Sequence, residues 1–171
     1  TIYHEHYSYL SLLALEPLIR RAGLEVTDVE DIAVHGGSLR LSVRHQNQNF
    51  AVSERVQNLR NHETTAGLHD DAPYLAFAAK IKSIIQDLKS LLEHEQAKGA
   101  LIAAYGAPAK GNTLLNAAGI KADVISFTVD KAPSKCGRYL PGSRIPILDP
   151  SVIADLKPDV TLILPWNIKD E

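Results

Sequence analysis

Four consecutive residues near the start of the chain carry groups that can move a proton. They are Tyr3, His4, Glu5 and His6. Histidine titrates near neutral pH and a neighbouring carboxylate can orient its ring, which are the usual ingredients of general base catalysis. An extended strand would place Tyr3 with Glu5 on one face and the two histidines on the other, whereas a bent loop would gather all four. A polar surface cluster without a catalytic role is the alternative interpretation.

A second segment has the composition of a phosphate-binding turn. Residues 105–113 read Tyr-Gly-Ala-Pro-Ala-Lys-Gly-Asn-Thr and are expected to join a strand to a helix. Glycines let a backbone approach a ligand, and the first turn of a helix offers unpaired N–H groups to a phosphate. The segment matches neither G-x-G-x-x-G nor the P-loop pattern, so glycines that only permit tight packing are the alternative. The candidate phosphate contacts are Gly106, Lys110, Gly111, Asn112 and Thr113.

Three further charged residues occupy positions suited to a nucleotide. Asp130 closes the next expected strand about twenty residues after the turn, where dinucleotide folds place an acid that binds the ribose. Arg138 and Arg144 lie in the following loop, which is expected to leave the same edge of the sheet. Both arginines are therefore candidate contacts to a diphosphate or a sugar, with solvated surface charges as the alternative. The histidines show no spacing diagnostic of a metal site, so no metal ligand is predicted.

The elements that would position these groups follow two patterns. A helix over residues 10–22, which Pro17 can kink, precedes two strands around a turn at residues 35–38. A charged helix over residues 50–61 and a long amphipathic helix come next. The long helix is expected to pack through one apolar side, made of Leu75, Ala78, Ile81, Ile85, Leu88 and Leu92. Beyond residue 99, strands and helices alternate, and this predicts a parallel sheet with helical crossovers. The expected strands are residues 100–105, 122–129, 145–148 and 160–164, and the expected helices are residues 112–118 and 150–156. The predicted class is α/β, a Rossmann-like sheet preceded by a helix and an antiparallel hairpin.

Composition excludes several classes of protein. A chain of 171 residues with 45% hydrophobic content can bury an ordinary core. A formal net charge of −2 gives no basic excess for nucleic acid or an anionic membrane, and no apolar stretch approaches the roughly eighteen residues of a membrane span. Cys136 is the only cysteine, which excludes a disulfide framework within the chain and favours a reducing, cytoplasmic setting. The lack of any methionine favours a piece of a longer protein.

The order and separation of four motifs resemble those of the S-adenosylmethionine-dependent sugar C-methyltransferases, which methylate nucleotide-linked keto-deoxysugars. The motifs are residues 1–9 (TIYHEHYSY), 35–40 (HGGSLR), 105–113 and 137–142 (GRYLPG), and the likeness covers nearly the whole chain. In that family a zinc-bearing N-terminal domain precedes a methyl-donor-binding middle domain and a Rossmann-like C-terminal domain. The resemblance implies that residues 1–49 end the middle domain. It implies that residues 50–171, with leading helices at 50–97, form a C-terminal domain cut short at its end.

The resemblance also implies roles for the motif residues. His6 would remove the proton next to a keto group, Glu5 would orient His6, and Tyr3 would position the sugar or bond the developing oxyanion. The glycine turn, with Lys110, would hold the nucleotide diphosphate. S-adenosylmethionine is the implied donor, with its binding loop absent from this chain, and zinc is implied only in the missing N-terminal domain. The isolated chain, without its partner domains, is expected to be inactive.

Two other functions stay open at the level of the sequence. A nonenzymatic nucleotide-binding module would need only the strand-turn-helix units, and the front histidines would then be incidental. A dinucleotide-dependent oxidoreductase is disfavoured because the standard glycine fingerprint is absent.

Overall fold

The structure, a computed structural model, describes residues 7–34 and 37–168. These residues divide into two compact units, Tyr7–Ala79 and the residues from Lys80 onward. The mixed α/β class is confirmed, with a four-stranded parallel sheet and a separate antiparallel hairpin preceded by a helix. Within the described residues, no helix is long and apolar enough to cross a membrane. The boundary between domains expected near residue 50 stays a prediction.

The first unit is built on a hairpin covered by two helices. Its elements are α1 (Leu12–Arg21), β1 (Leu24–Ile32), β2 (Ser38–His45) and α2 (Glu54–Thr65), followed by the start of α3 (Ala72–Ala97). Helix α1 runs through Pro17 without a break. The two strands pair antiparallel, with a register shift between Val26 and Asp28. Apolar side chains from both helices and the hairpin form one buried cluster, made of Leu12, Val26, Val29 and Val56.

Helix α2 is joined to helix α1 by charged side chains as well as by this cluster. The buried carboxylate of Glu63 accepts the backbone N–H groups of Leu12 and Leu13, each at 2.8 Å. The first N–H groups of a helix have no partner within the helix, so Glu63 caps α1 from a distant segment. Arg60, three residues earlier on α2, forms an ion pair with Glu16 of α1. Specific polar contacts therefore connect the two helices, although the hairpin separates them in sequence.

The second unit contains the parallel sheet. Its remaining elements are β3 (Ile102–Tyr105), α4 (Ala109–Ala118), β4 (Phe127–Val129), β5 (Ile147–Leu148), α5 (Val152–Leu156), β6 (Val160–Ile163) and a 3₁₀ turn at Trp166–Ile168. The strand order is β5-β4-β3-β6, with every neighbouring pair parallel. The chain moves outward from β3 to β5 and then returns to the other side of β3. The carboxyl ends of β3 and β6 therefore form the topological switch point, where open α/β sheets bind ligands.

The core of this unit explains the hydrophobic pattern of α3. Ile85, Leu88 and Leu92 recur at helical spacing and belong to or pack on a cluster that includes Ile102 and Leu115. Leu75 and Ala78, at the start of the same predicted stripe, are exposed, so that part of the prediction is wrong. The strand expected over residues 122–129 is shorter in the structure, because the backbone N–H groups of residues 124 and 125 both donate to the oxygen of residue 121 and form a turn. Helix α4 begins three residues earlier than expected, directly after the proline of the glycine turn.

Candidate functional site

The proposed proton-transfer residues cannot be placed by the structure. Tyr3, Glu5 and His6 lie outside the described residues. Their roles stay predictions. The described candidates belong to the second unit, where five of them lie in or beside the turn between β3 and α4 and three lie in or beside the loop that follows β4.

Both glycines of the turn allow close packing between two segments. Gly106 has φ +86°, and a Cβ placed there would come within 2.6 Å of Pro165 Cδ. A Cβ on Gly111, in the first turn of α4, would come within 2.7 Å of Leu164 Cβ. Real Cβ atoms do not approach so closely, so side chains are excluded at both positions. The packing alternative accounts for both glycines, and a phosphate must lie outside this closed contact.

The carboxylate of Asp130 is engaged by three donors. It accepts the backbone N–H of Ala107 at 2.7 Å, the backbone N–H of Ala132 at 2.9 Å and Lys135 Nζ at 2.9 Å. Burial raises the pKa of Asp130, but the hydrogen bonds from Lys135 and the two N–H groups outweigh burial and lower it overall. A ribose hydroxyl would have to share this carboxylate with those donors. Asp130 therefore stabilises the turn after β3 through its hydrogen bond to the N–H of Ala107.

Lys110, Trp166 and Asn167 form a cluster at the switch point, here called the Lys110 cluster. Lys110 Nζ donates a hydrogen bond to Asn167 Oδ1 and lies 5.5 Å from the centre of the Trp166 ring. A cation at that distance from an indole face is attracted by the ring. Trp166 remains 43% exposed. The cluster therefore presents a cation and an aromatic surface at the edge of the sheet where ligands are expected.

The N-terminus of α4 offers backbone N–H donors beside this cluster. Pro108 is the N-cap residue and gives no side-chain cap, and the first helical bond runs from Asn112 N–H to its oxygen at 3.0 Å. The N–H groups of residues 109–111 make no hydrogen bond to any described residue. Two side chains predicted to contact a phosphate form hydrogen bonds within α4 instead. Thr113 donates to Ala109 O, and Asn112 accepts from Asn116. The first turn of α4, together with the side chain of Lys110, is thus the candidate surface for an anion.

The two arginines lie on a loop that runs along the outer edge of β5. The N–H of Gly137 donates to Ile147 O, and the N–H of Ile147 donates to Arg138 O, each at 2.8 Å. Arg138 and Arg144 are exposed, and neither forms an ion pair with a described residue. Arg144 precedes the amino end of β5, whereas the Lys110 cluster lies at the carboxyl ends of the strands. Among the described residues, Arg144 forms no hydrogen bond, ion pair or ring contact with the Lys110 cluster, and the substrate roles of both arginines stay predictions.

The same loop is attached to α4 by a contact that sequence reasoning missed. Asn116 Nδ2 donates to Pro141 O at 3.0 Å. Gly142 has φ +81°, and a Cβ placed there would overlap the side-chain amide of Asn116. The positive φ favours glycine at this position, and an added Cβ would force the Asn116 side chain away from Pro141 O. Lys135, Trp166 and Asn167 were also missed, since a lysine five residues after an acid and a Trp-Asn pair after a strand are weak signals in isolation.

Metal ligands do not gather in this part of the protein. Across residues 7–34 and 37–168, no three His, Cys, Asp or Glu side chains come together in a group that could hold an ion.

Comparison with known proteins assigns the chain to a family. The model of the C-methyltransferase C-terminal domain matches residues 33–171. The whole chain is 37% identical over 171 residues to the C-methyltransferase NovU of Streptomyces niveus, and this match covers 41% of that relative's length. The resemblance drawn from the four motifs is thereby confirmed for a C-methyltransferase. This chain belongs to the family of C-methyltransferase C-terminal domains.

Proposed function

We propose that this chain is part of an enzyme that transfers a methyl group from S-adenosylmethionine to a carbon of a nucleotide-linked keto-deoxysugar. Family membership and the name of the relative support methyl transfer to carbon. The chain spans 41% of that relative's length, so the proposed reaction also needs segments outside the chain. A reducing, cytoplasmic setting is part of the same proposal.

In this proposal the base comes from the first residues of the chain. A keto group acidifies the neighbouring C–H, and a positioned imidazole can take that proton. We assign this role to His6, with Glu5 orienting the ring and Tyr3 bonding the oxyanion that develops on the sugar. The assignment rests on residue types and on the order of the motifs.

The surface at the switch point is the site that we propose for the diphosphate of the nucleotide-linked acceptor. At the N-terminus of α4, the N–H groups of residues 109–111 have no partner in the part of the chain that the structure describes, and Lys110 adds a positive charge beside them. The helix dipole and these donors favour an anion at that position. We therefore place the diphosphate of the acceptor against residues 109–111 and Lys110.

The residues of this surface do not fit the methyl donor or a dinucleotide. Pro165 and Leu164 close the space beside the two glycines, and three donors occupy the carboxylate of Asp130. A donor nucleoside would need both an open glycine turn and a free acid for its ribose. This geometry supports a donor site outside the described residues, and it disfavours the dinucleotide-dependent oxidoreductase.

Calorimetric titration of the chain with thymidine diphosphate and, separately, with S-adenosylmethionine tests which of the two ligands this chain binds. We expect binding of the nucleotide alone, weakened about tenfold or more by Lys110→Met, because a charge-assisted hydrogen bond contributes roughly 1.5–3 kcal/mol. Lys121→Met, which removes an exposed lysine elsewhere in the unit, is the matched control. Binding of S-adenosylmethionine alone would contradict the assignment of the nucleotide-diphosphate site to this chain.

The nonenzymatic module is the second candidate function. The strand-turn-helix units suffice for it, and it predicts nucleotide binding without any dependence of turnover on His6. Turnover of the complete enzyme with His6→Ala therefore separates the two functions.

A further inference from the structure

We propose that Trp166 is the stacking surface for the nucleobase of the acceptor. The inference rests on the proposed function, because it assumes a nucleotide whose phosphates lie at the N-terminus of α4. It adds a second contact, to the base, that neither the family description nor the name of the relative assigns.

The position of Trp166 is set by its neighbours along the chain. Leu164 is 1% exposed and packs in the core, and Pro165 lies against Gly106. Asn167 accepts a hydrogen bond from Lys110 on α4. The segment that carries the indole is thus fixed on both sides of Trp166. A ring held in this way loses little freedom when a ligand stacks on it.

The surroundings of the ring suit a planar, anionic ligand. Trp166 is 43% exposed, although Leu164, two residues earlier, is buried. Every nucleobase has a π-face that can stack on an indole, and neighbouring cations strengthen such sites. The ammonium of Lys110 lies over the ring, and Lys110 also belongs to the first turn of α4, where the N–H groups of residues 109–111 have no partner among the described residues. A nucleotide joins its base to its phosphates through a single ribose, so it can contact two neighbouring surfaces of this kind together.

A protein segment covering the indole is the competing occupant. Such a segment would require apolar contact, whereas the ring is bordered by Lys110 and Asn167. Location at a switch point also favours a small ligand. The two occupants give different results in a fluorescence experiment.

Trp166 is the only tryptophan of the chain, so its emission reports on this position alone. We would titrate the full chain with thymidine diphosphate and with inorganic pyrophosphate, following both emission and heat. The nucleotide should quench the indole emission, and pyrophosphate should bind more weakly without quenching. Trp166→Ala should weaken nucleotide binding by about fivefold or more and leave pyrophosphate binding unchanged, since base stacking contributes roughly 1–3 kcal/mol per base. Trp166→Phe, which keeps an aromatic face, should lose less affinity.

Three results would overturn the inference, and they separate it from the proposed function. Nucleotide binding with unchanged emission and no effect of Trp166→Ala removes the stacking contact but leaves the phosphate site intact. Binding of neither ligand removes the phosphate site and the stacking contact together. Emission that acrylamide cannot quench before any ligand is added identifies a protein segment as the occupant. Circular dichroism of Trp166→Ala confirms that a loss of affinity is not a loss of fold.

Discussion

Lys135 Nζ lies 2.9 Å from Asp130 Oδ2 and 3.2 Å from the backbone oxygen of Ala107. The N–H of Ala107 donates to the same carboxylate oxygen at 2.7 Å. The Asp130–Lys135 ion pair therefore binds both the N–H and the C=O of Ala107, which lies in the turn between β3 and α4. The turn sets the position of the helix N-terminus, so this ion pair positions the proposed anion-binding surface.

Asp130→Asn should destabilise the chain at neutral pH, and the difference should shrink in acid. The pKa of Asp130 is lowered in the folded state, so folding favours the ionised carboxylate. That stabilisation is complete above the unfolded pKa, near 3.9, and is lost as the pH falls through the lower folded value. Thermal unfolding of both proteins between pH 7 and pH 2 measures the difference. A constant difference across this range would contradict the ionic role, and Asp123→Asn is the control for an exposed carboxylate.

Gly142→Ala should cost about 2 kcal/mol or more of unfolding free energy. The new Cβ would meet the side chain of Asn116 and would also force a residue with a side chain into positive φ. Gly137→Ala is a matched control in the same loop, because φ there is +76° and nothing lies within 4 Å of the added carbon. Denaturant unfolding compares the two. Equal losses for both glycines would show that the contact with Asn116 contributes nothing.

Glu63→Ala should destabilise the first unit by about 1–3 kcal/mol. It removes the cap of α1 and leaves the N–H groups of Leu12 and Leu13 without their partner. Glu54→Ala removes an exposed acid from the first turn of α2 and should change stability by less than about 0.5 kcal/mol. Amide hydrogen exchange at the start of α1 gives a local measurement. Unchanged protection of those amides in Glu63→Ala would remove the capping role.

His6→Ala in the complete enzyme should lower turnover by about 10²–10⁴-fold, the usual contribution of a general base. Calorimetric affinity for thymidine diphosphate should not change, because the nucleotide is placed at α4. His45→Ala, an exposed histidine on β2, is the control. Turnover equal to that of the unaltered enzyme would assign the base elsewhere. His4 and His6 would then be interpreted as part of a polar surface cluster without a catalytic role.

Local patterns were sufficient to predict the class of fold. Alternation of strands and helices beyond residue 99 predicted the parallel sheet, and the spacing of Ile85, Leu88 and Leu92 predicted the packed side of the later part of α3. These patterns persist because each element must bury one face, and the periods of helices and strands are read from neighbouring residues. The ends of the elements were less well predicted. The start of α4 and the length of β4 depend on a proline and on a turn whose hydrogen bonds compete with the strand.

The sequence by itself determined the class of fold and the family of the chain, since both follow from residue types and their order. Only the tertiary structure decided which groups of the candidate site are free to bind. Gly106 meets Pro165, Lys135 bonds Asp130, and Lys110 stands beside Trp166. Lys110 and its partner Asn167 are 57 residues apart in sequence. Contacts of that kind arise when crossovers bring distant strand ends to one edge of the sheet, and neither periodicity nor a motif encodes which side chains then touch.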